Sequence, residues 1–366
     1  MGSSMWGCQE KRPAAVTSRV RSPPARMNAA NCWWTPPCAF LLRRTHSSPT
    51  ADTDEASTTR YDVMNRRQFL AKSTTGAIGL AGFGSGCGSL LPRAGRAQVM
   101  TVLGPIPPER MGTTLPHEHV LVDFIGAAQA SRSRYDAEEA FAVALPHLLR
   151  VKDLGCNTLV ECTPAYIGRD PALLKRLAVA SGLQIITNTG YYGAAVNKFL
   201  PAHAQSETAE QLAQRWVREW RQGIEETGIR PGFIKIGVDA GRLSDLHRKL
   251  VRAAALAHLA TGLTVAAHTG DGVAALEELA ILKEEGVAGE AFIWVHAQSE
   301  SKLELHAQAA ALGAWVEFDG LSSESVDAHV KLLQTMKRQG FLRRVLLSHD
   351  AGWYHVGEPR GGNFRP

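Results

Sequence analysis

Cysteine is nearly absent where a fold would use it. Of six cysteines in 366 residues, Cys8, Cys32, Cys38 and Cys87 precede the first convincing strand, which leaves Cys156 and Cys162 in the body. That number argues against a disulfide framework, and neither residue belongs to a CxxC pair, which argues against a zinc–thiolate site. A long apolar run is also lacking. The least charged stretch, Ser73 to Pro92, carries six glycines, which weaken a helix and lower its hydrophobicity. The formal charge of +5 does not signal a nucleic-acid partner, because many arginines fall in the first hundred residues among Pro, Ser and Thr. What remains, 45% apolar and 20% charged, is the balance of a soluble globular protein.

Residues 1–63 show no sustained period of 2 or 3.6 and are expected to be disordered, or upstream sequence that is not translated. Met64-Asn65-Arg66-Arg67-Gln68-Phe69-Leu70 and the Gly-rich run after it resemble a twin-arginine export signal, residues 64–97, with a small-residue cleavage site at Ala97. A periplasmic or otherwise exported protein is the expectation. A membrane anchor is disfavoured by the glycines. A lipoprotein through Cys87 is disfavoured by Gly84, which stands where an apolar residue is needed.

Residues 98–366 read as one domain. From Thr113 short β-rich runs alternate with longer amphipathic ones, the pattern of βα units around a parallel sheet. The strand candidates are Thr113–Phe124, Thr158–Thr163, Gln184–Tyr191, Phe233–Asp239, Thr264–Gly270, Ala291–Ala297, Ala314–Gly320 and Arg344–Asp350. Helices are expected at Asp136–Leu154, Ser206–Thr227, Leu243–Ala260, Val273–Glu285 and Ser323–Arg338, among others. The fold class is therefore α/β, a (β/α)₈ barrel, with too few residues after the eighth strand for a full final helix.

In such a barrel chemistry collects at the C-terminal ends of the strands. Strand 1 holds His117-Glu118-His119, a spacing that turns both imidazoles to one face, as a chelating pair requires. Alone this is a weak signal, since a strand histidine is commonly a structural hydrogen-bonding residue. In strand 4, alternation sends Ile234, Ile236 and Val238 outward and Lys235 inward. A buried lysine needs a reason: an ion pair with Glu161 or Asp350, or conversion by carbon dioxide to a carbamate that can bridge two cations. His268 ends strand 5, His296 ends strand 6 and Asp350 ends strand 8. Each could be a core histidine or a capping aspartate, but side chains of ligand type at five strand ends converge on one pocket.

Gly112-Thr113-Thr114-Leu115-Pro116-His117-Glu118-His119 and Gly232-Phe233-Ile234-Lys235-Ile236-Gly237 resemble the two motifs of the phosphotriesterase-like family of the amidohydrolase superfamily, a resemblance running from about Val102 to the end. It implies a hydrolase with two divalent metal ions, zinc first, with cobalt, manganese and iron as alternatives. His117, His119 and Asp350 would hold one ion and His268 and His296 the other. A carbamylated Lys235 and a hydroxide would bridge them, and Asp350 would serve as general base.

The chain departs from organophosphate-cleaving members of that family. Asp319 is followed by Gly320-Leu321 rather than a proton-relay histidine, and His296 by Ala297-Gln298-Ser299, without the acidic residues of the relay. The expected substrate is accordingly a lactone or carboxylic ester. A phosphotriester or a small N-acyl amide is the alternative, and a catalytically silent metal-binding protein ranks below both. Tyr191, Tyr192 and Trp353 are candidate walls of the substrate pocket. A homodimer is the assembly to test for, and no nucleic-acid partner is expected.

Overall fold

The computed structural model describes residues 97–362; the proposed leader and the twin-arginine motif lie outside them. A short antiparallel hairpin, Val99–Thr101 with Gly104–Ile106, opens the described chain. Its Val99 and Ile106 pack with Phe233, Ala266 and Ile293, apolar residues near the starts of three strands, and so plug the N-terminal end of a barrel.

The barrel strands are β1 (Thr114–Val122), β2 (Thr158–Glu161), β3 (Gln184–Ile186 continuing as Asn188–Thr189), β4 (Phe233–Val238), β5 (Val265–Thr269), β6 (Phe292–Val295), β7 (Trp315–Phe318) and β8 (Val345–Leu347 continuing as Gly352–His355). All pair in parallel. Two strands change partner midway, and this is how the sheet closes. The first part of β3 pairs with β2 and the second with β4. The first part of β8 pairs with β7, and the second joins β1 through Gly352↔His119 and Tyr354↔Leu121. The expected eighth strand, Arg344–Asp350, is corrected accordingly: Gly352–His355, which lies beyond it, is the closing piece. Gly-Trp-Tyr-His has no period of its own and becomes a strand because β1 offers it a free edge.

Besides the single turn His203–Ser206, seven helices clothe the sheet among the described residues: α1 (Ala137–Asp153), α2 (Pro171–Ser181), α3 (Ala209–Gln222), α4 (Asp245–Thr261), α5 (Gly272–Glu284), α6 (Leu303–Ala311) and α7 (Val326–Arg338). Their starts follow local chemistry. Asp136, Asp170, Ser244 and Asp271 accept backbone N–H bonds as N-caps, and Thr208 with Gln211 forms a capping box that starts α3. The expected helix from Ser206 to Thr227 is shortened at its front by that cap and ended by Gly223. No α-helix follows β8 among the described residues, and Val345, Leu346 and Leu347 are half-buried there, whereas all six residues of β4 are buried. No described helix is long and apolar enough to cross a membrane.

Alternation along β4 divides two cores. Ile234, Ile236 and Val238 join Leu250, Val251 and Ala254 of α4 outside the barrel, while Phe233 belongs to the interior cluster. Lys235 shares the interior face with Phe233, as the period of 2 requires.

One buried acid outside the catalytic face gives a stability prediction. Glu278 of α5 is fully buried, and burial pushes its carboxyl from 4.5 up to about 8. Thr269 Oγ1 lies 2.7 Å from Glu278 Oε2 and 3.0 Å from the Ala267 carbonyl, and its one proton can serve only one of them. A protonated Glu278 supplies the second. Because the folded form binds this proton more tightly than the unfolded chain, its contribution is whole below about pH 4.5 and is lost as pH rises toward 8. Glu278→Gln is expected to remove that loss, gaining on the order of 2–4 kcal/mol over the native protein at pH 9. Denaturant unfolding at pH 5 and pH 9 checks this, and equal pH dependence in both proteins would refute it.

Candidate metal centre

Pro116 interrupts β1, and the register against β2 shifts between Leu115 and Glu118. The irregularity fits a residue with no N–H to give the ladder. His117 and His119 follow it on the inner face. Their Nε2 atoms stand 3.3 Å apart, and Asp350 Oδ1 lies 3.6 Å from the first and 3.1 Å from the second. These three residues form a group able to hold a cation. Across the barrel the ring of His296 lies 4.9 Å from that of His117 and 4.5 Å from that of His268. All four histidines thus form one cluster, His117 and His119 midway along β1 and His268 and His296 at the C-terminal ends of β5 and β6.

Lys235 lies on β4 against β5, opposite Ala266 and two residues before Gly237, which pairs with His268. It is 2% exposed, and its Nζ has no hydrogen-bond partner. It makes no hydrogen bond to Glu161 or Asp350. An orphaned amine beside imidazoles and a carboxylate is what a site built for a carbamate and two cations would show without them.

The backs of the rings are held. His119 Nδ1 is 2.8 Å from Thr163 Oγ1, His117 Nδ1 is 2.8 Å from Glu317 Oε1 and 3.1 Å from Asp319 Oδ2, and His296 Nδ1 is 2.7 Å from Asp319 Oδ1. Partners at Nδ1 leave Nε2 of His117 and His119 facing each other and Asp350. Glu118, between the two histidines, points the opposite way and fastens the bend in β8. It accepts from Ser348 Oγ and the Ala351 amide, both at 2.7 Å, and from the His349 amide at 3.2 Å. His296 and Asp350 both sit in the left-handed backbone region, φ 62° and 53°. Non-glycine residues hold that conformation only where their surroundings impose it.

Electrostatics suits ligation. Burial and the Lys235 charge pull His117 down to about 3, and burial with His296 keeps His268 well below its ordinary value. Both are neutral imidazoles near pH 7, the ligating form. Burial works against ionisation of Asp350, but the His119 hydrogen bond and the surrounding imidazoles hold its carboxyl below the usual carboxylate range. Burial also opposes ionisation of Asp319, and His117 and His296 overcome it. Burial and the neighbouring Asp319 hold Glu317 well above its ordinary value.

The structure brings His117, His119, His268, His296 and Asp350 into one cluster beside Lys235. Tyr192 also stands here, its ring 5.0 Å from that of His268, in a space left by Gly237, where a Cβ would come within 2.7 Å of the tyrosine ring. Tyr191 and Trp353, expected to line the substrate pocket, are placed elsewhere. Tyr191 turns outward onto Trp216 and bonds His203 at 3.0 Å, facing a separate cavity of about 590 Å³ beside α3. Trp353 is buried on the outer face of β8 and stacks on His147 of α1 at 5.8 Å. Both tyrosines end β3, and a period of 2 admits only one to the interior. Sequence reasoning left Glu118, Thr163, Gln298 and Glu317 without a role. Glu317 was findable, since it lies two residues before Asp319 and therefore on the same face of β7.

Comparison with known proteins gives one family throughout. The model of the phosphotriesterase family matches residues 97–363. The phosphotriesterase homology protein of Escherichia coli is 31% identical over 243 residues, 65% of this chain and 81% of that protein. The N-acetyltaurine hydrolase of Xenopus tropicalis is 28% identical over 299 residues, 69% and 84%. The solved structure of a mutant PTE-like lactonase from Deinococcus radiodurans superposes with a TM-score of 0.65 at 28% identity, over 71% of this chain and 84% of that one.

Proposed function

The chain belongs to the phosphotriesterase family of binuclear metal-dependent hydrolases, and from that premise we propose that it hydrolyses a lactone or other carboxylic ester. The donor set is rich in imidazole and suits zinc, with cobalt, manganese or iron as alternatives. Bound cations would supply Lewis acidity and acidify water. His117, His119 and Asp350 would hold one cation and His268 and His296 the other, with a carbamylated Lys235 between them.

The chain's own groups do the rest. Asp350 Oδ1, ionised and within hydrogen-bond reach of His119, accepts the proton released by the attacking water. Tyr192, kept protonated by burial, can donate its hydroxyl to a ring or carbonyl oxygen. Export through the twin-arginine motif and assembly as a homodimer belong to the same proposal.

The observation that carries the choice of substrate is Gly320. The residue after Asp319 has no side chain, and a Cβ there would lie 3.0 Å from Gln298 Nε2, so an amide fills the space beside it. Neither residue can carry away the proton that Asp350 takes up. A lactone tolerates this, because its ring alkoxide can take that proton back, whereas an aryloxide leaves without it. A titration series of lactones and of one diethyl aryl phosphate on a single zinc-loaded preparation tests the choice. The phosphotriester is expected to be at least about a hundredfold poorer in kcat/KM, roughly 2.7 kcal/mol. A phosphotriester preferred over every lactone would overturn it. The similarity to an N-acetyltaurine hydrolase favours a small N-acyl amide as the second reading, and N-acyl amines belong in the same assay.

A further inference from the structure

Asp319 touches histidines of both halves of the cluster. Its Oδ1 accepts from His296 Nδ1 at 2.7 Å, and its Oδ2 accepts from the His296 amide at 2.9 Å and lies 3.1 Å from His117 Nδ1. The group His117, His296 and Asp319 could itself be taken for a cation site. The bonds already made to both carboxylate oxygens favour a hydrogen-bonding hub instead.

That hub is clamped from one side. Gln298 Nε2 donates to Asp319 Oδ1 at 2.7 Å, and the Asp319 amide donates to Gln298 Oε1 at 3.2 Å. The two bonds use both ends of the amide in opposite senses, so only one orientation of the group satisfies both. Gln298 follows β6 in the short 3-10 turn Ala297–Ser299, and Asp319 follows β7, so the clamp ties two neighbouring strand ends together. Its carboxylate target is almost wholly buried, where a bond to a charged group counts for more than it does in water.

We propose that Gln298 is a positioning residue: by fixing the Asp319 carboxylate it sets the ring orientation of His296 and His117, and through them the metal affinity of both halves of the centre. Gly320 is its structural counterpart. A side chain at 320 would press on Gln298 Nε2, so the missing relay histidine and the clamping amide are two aspects of one arrangement. The inference rests on the reading of this cluster as a metal site, and the test separates the two.

Zinc binding is measured at 25 °C by competition with a chromophoric chelator, on the full chain and on Gln298→Met, Gln298→Ala, Gly320→Ala and the double variant Gln298→Ala/Gly320→Ala. Both Gln298 variants are expected to bind zinc about tenfold more weakly, the scale on which second partners of metal-binding histidines act. Gly320→Ala is expected to weaken binding in the same direction, and to add nothing once Gln298 is alanine. Gly320 has no positive φ, so its variant should fold even if a Gln298 variant does not. Native zinc affinity in both Gln298 variants, or fully additive losses in the double variant, would overturn the positioning role alone. A native chain that takes up no zinc would end both readings together.

Discussion

Lys235→Ala is expected to release most of the bound metal and to lower kcat/KM at least about a thousandfold, near 4 kcal/mol of transition-state stabilisation. The loss would arise at a single atom. Nζ is buried with no hydrogen-bond partner, so no hydrogen bond is broken when it goes. The barrel should persist. Propionate or acetate should restore part of the activity by placing a carboxylate where the proposed carbamate would stand. Lys235→Met distinguishes this from a packing role, since it fills the same space without the amine. Native metal content in Lys235→Met, counted by mass spectrometry, would sink the bridging assignment.

Asp350→Asn has the second largest expected effect, a fall in kcat of about a hundred- to ten-thousandfold with KM changed far less. Asparagine keeps the shape and an oxygen that can ligate, but it cannot take up a proton. The left-handed backbone at φ 53° favours asparagine among replacements, so the bend in β8 should survive. Glu118→Gln is the control. That carboxylate touches the backbone around Asp350 and not the reacting groups, so its loss should loosen the site without abolishing proton acceptance. A kcat within threefold of native in Asp350→Asn would remove Asp350 from the chemistry.

The histidines were legible because His268 and His296 end apolar runs and His117 and His119 share one face of a strand, where the barrel's geometry does the gathering. Lys235 was legible through alternation alone. The tyrosine pair shows the limit, since a period of 2 says that Tyr191 and Tyr192 part company but not which goes inward. Gly237 decided it by opening space for the second ring. Gly352–His355 was missed for a different reason. Its partner, β1, lies more than two hundred residues earlier, and local pattern carries no trace of pairing at that distance. Gln298 and Glu317 looked like an ordinary turn residue and an ordinary strand residue. Their roles exist only once β6 and β7 lie side by side.

The division of β8 bears on the order in which the molecule can be made. Its second half is what closes the ring onto β1, and Asp350 sits at the junction, paired with histidines from the opposite end of the domain. A nascent chain emerging from the ribosome would hold His117 and His119 from early on, but their acidic companion arrives only with the last strand. Joining ends so distant is slow in folding, so the three-residue cation site should mature at ring closure and not before. A cell that loads metal into this protein would then have to do so on the finished barrel.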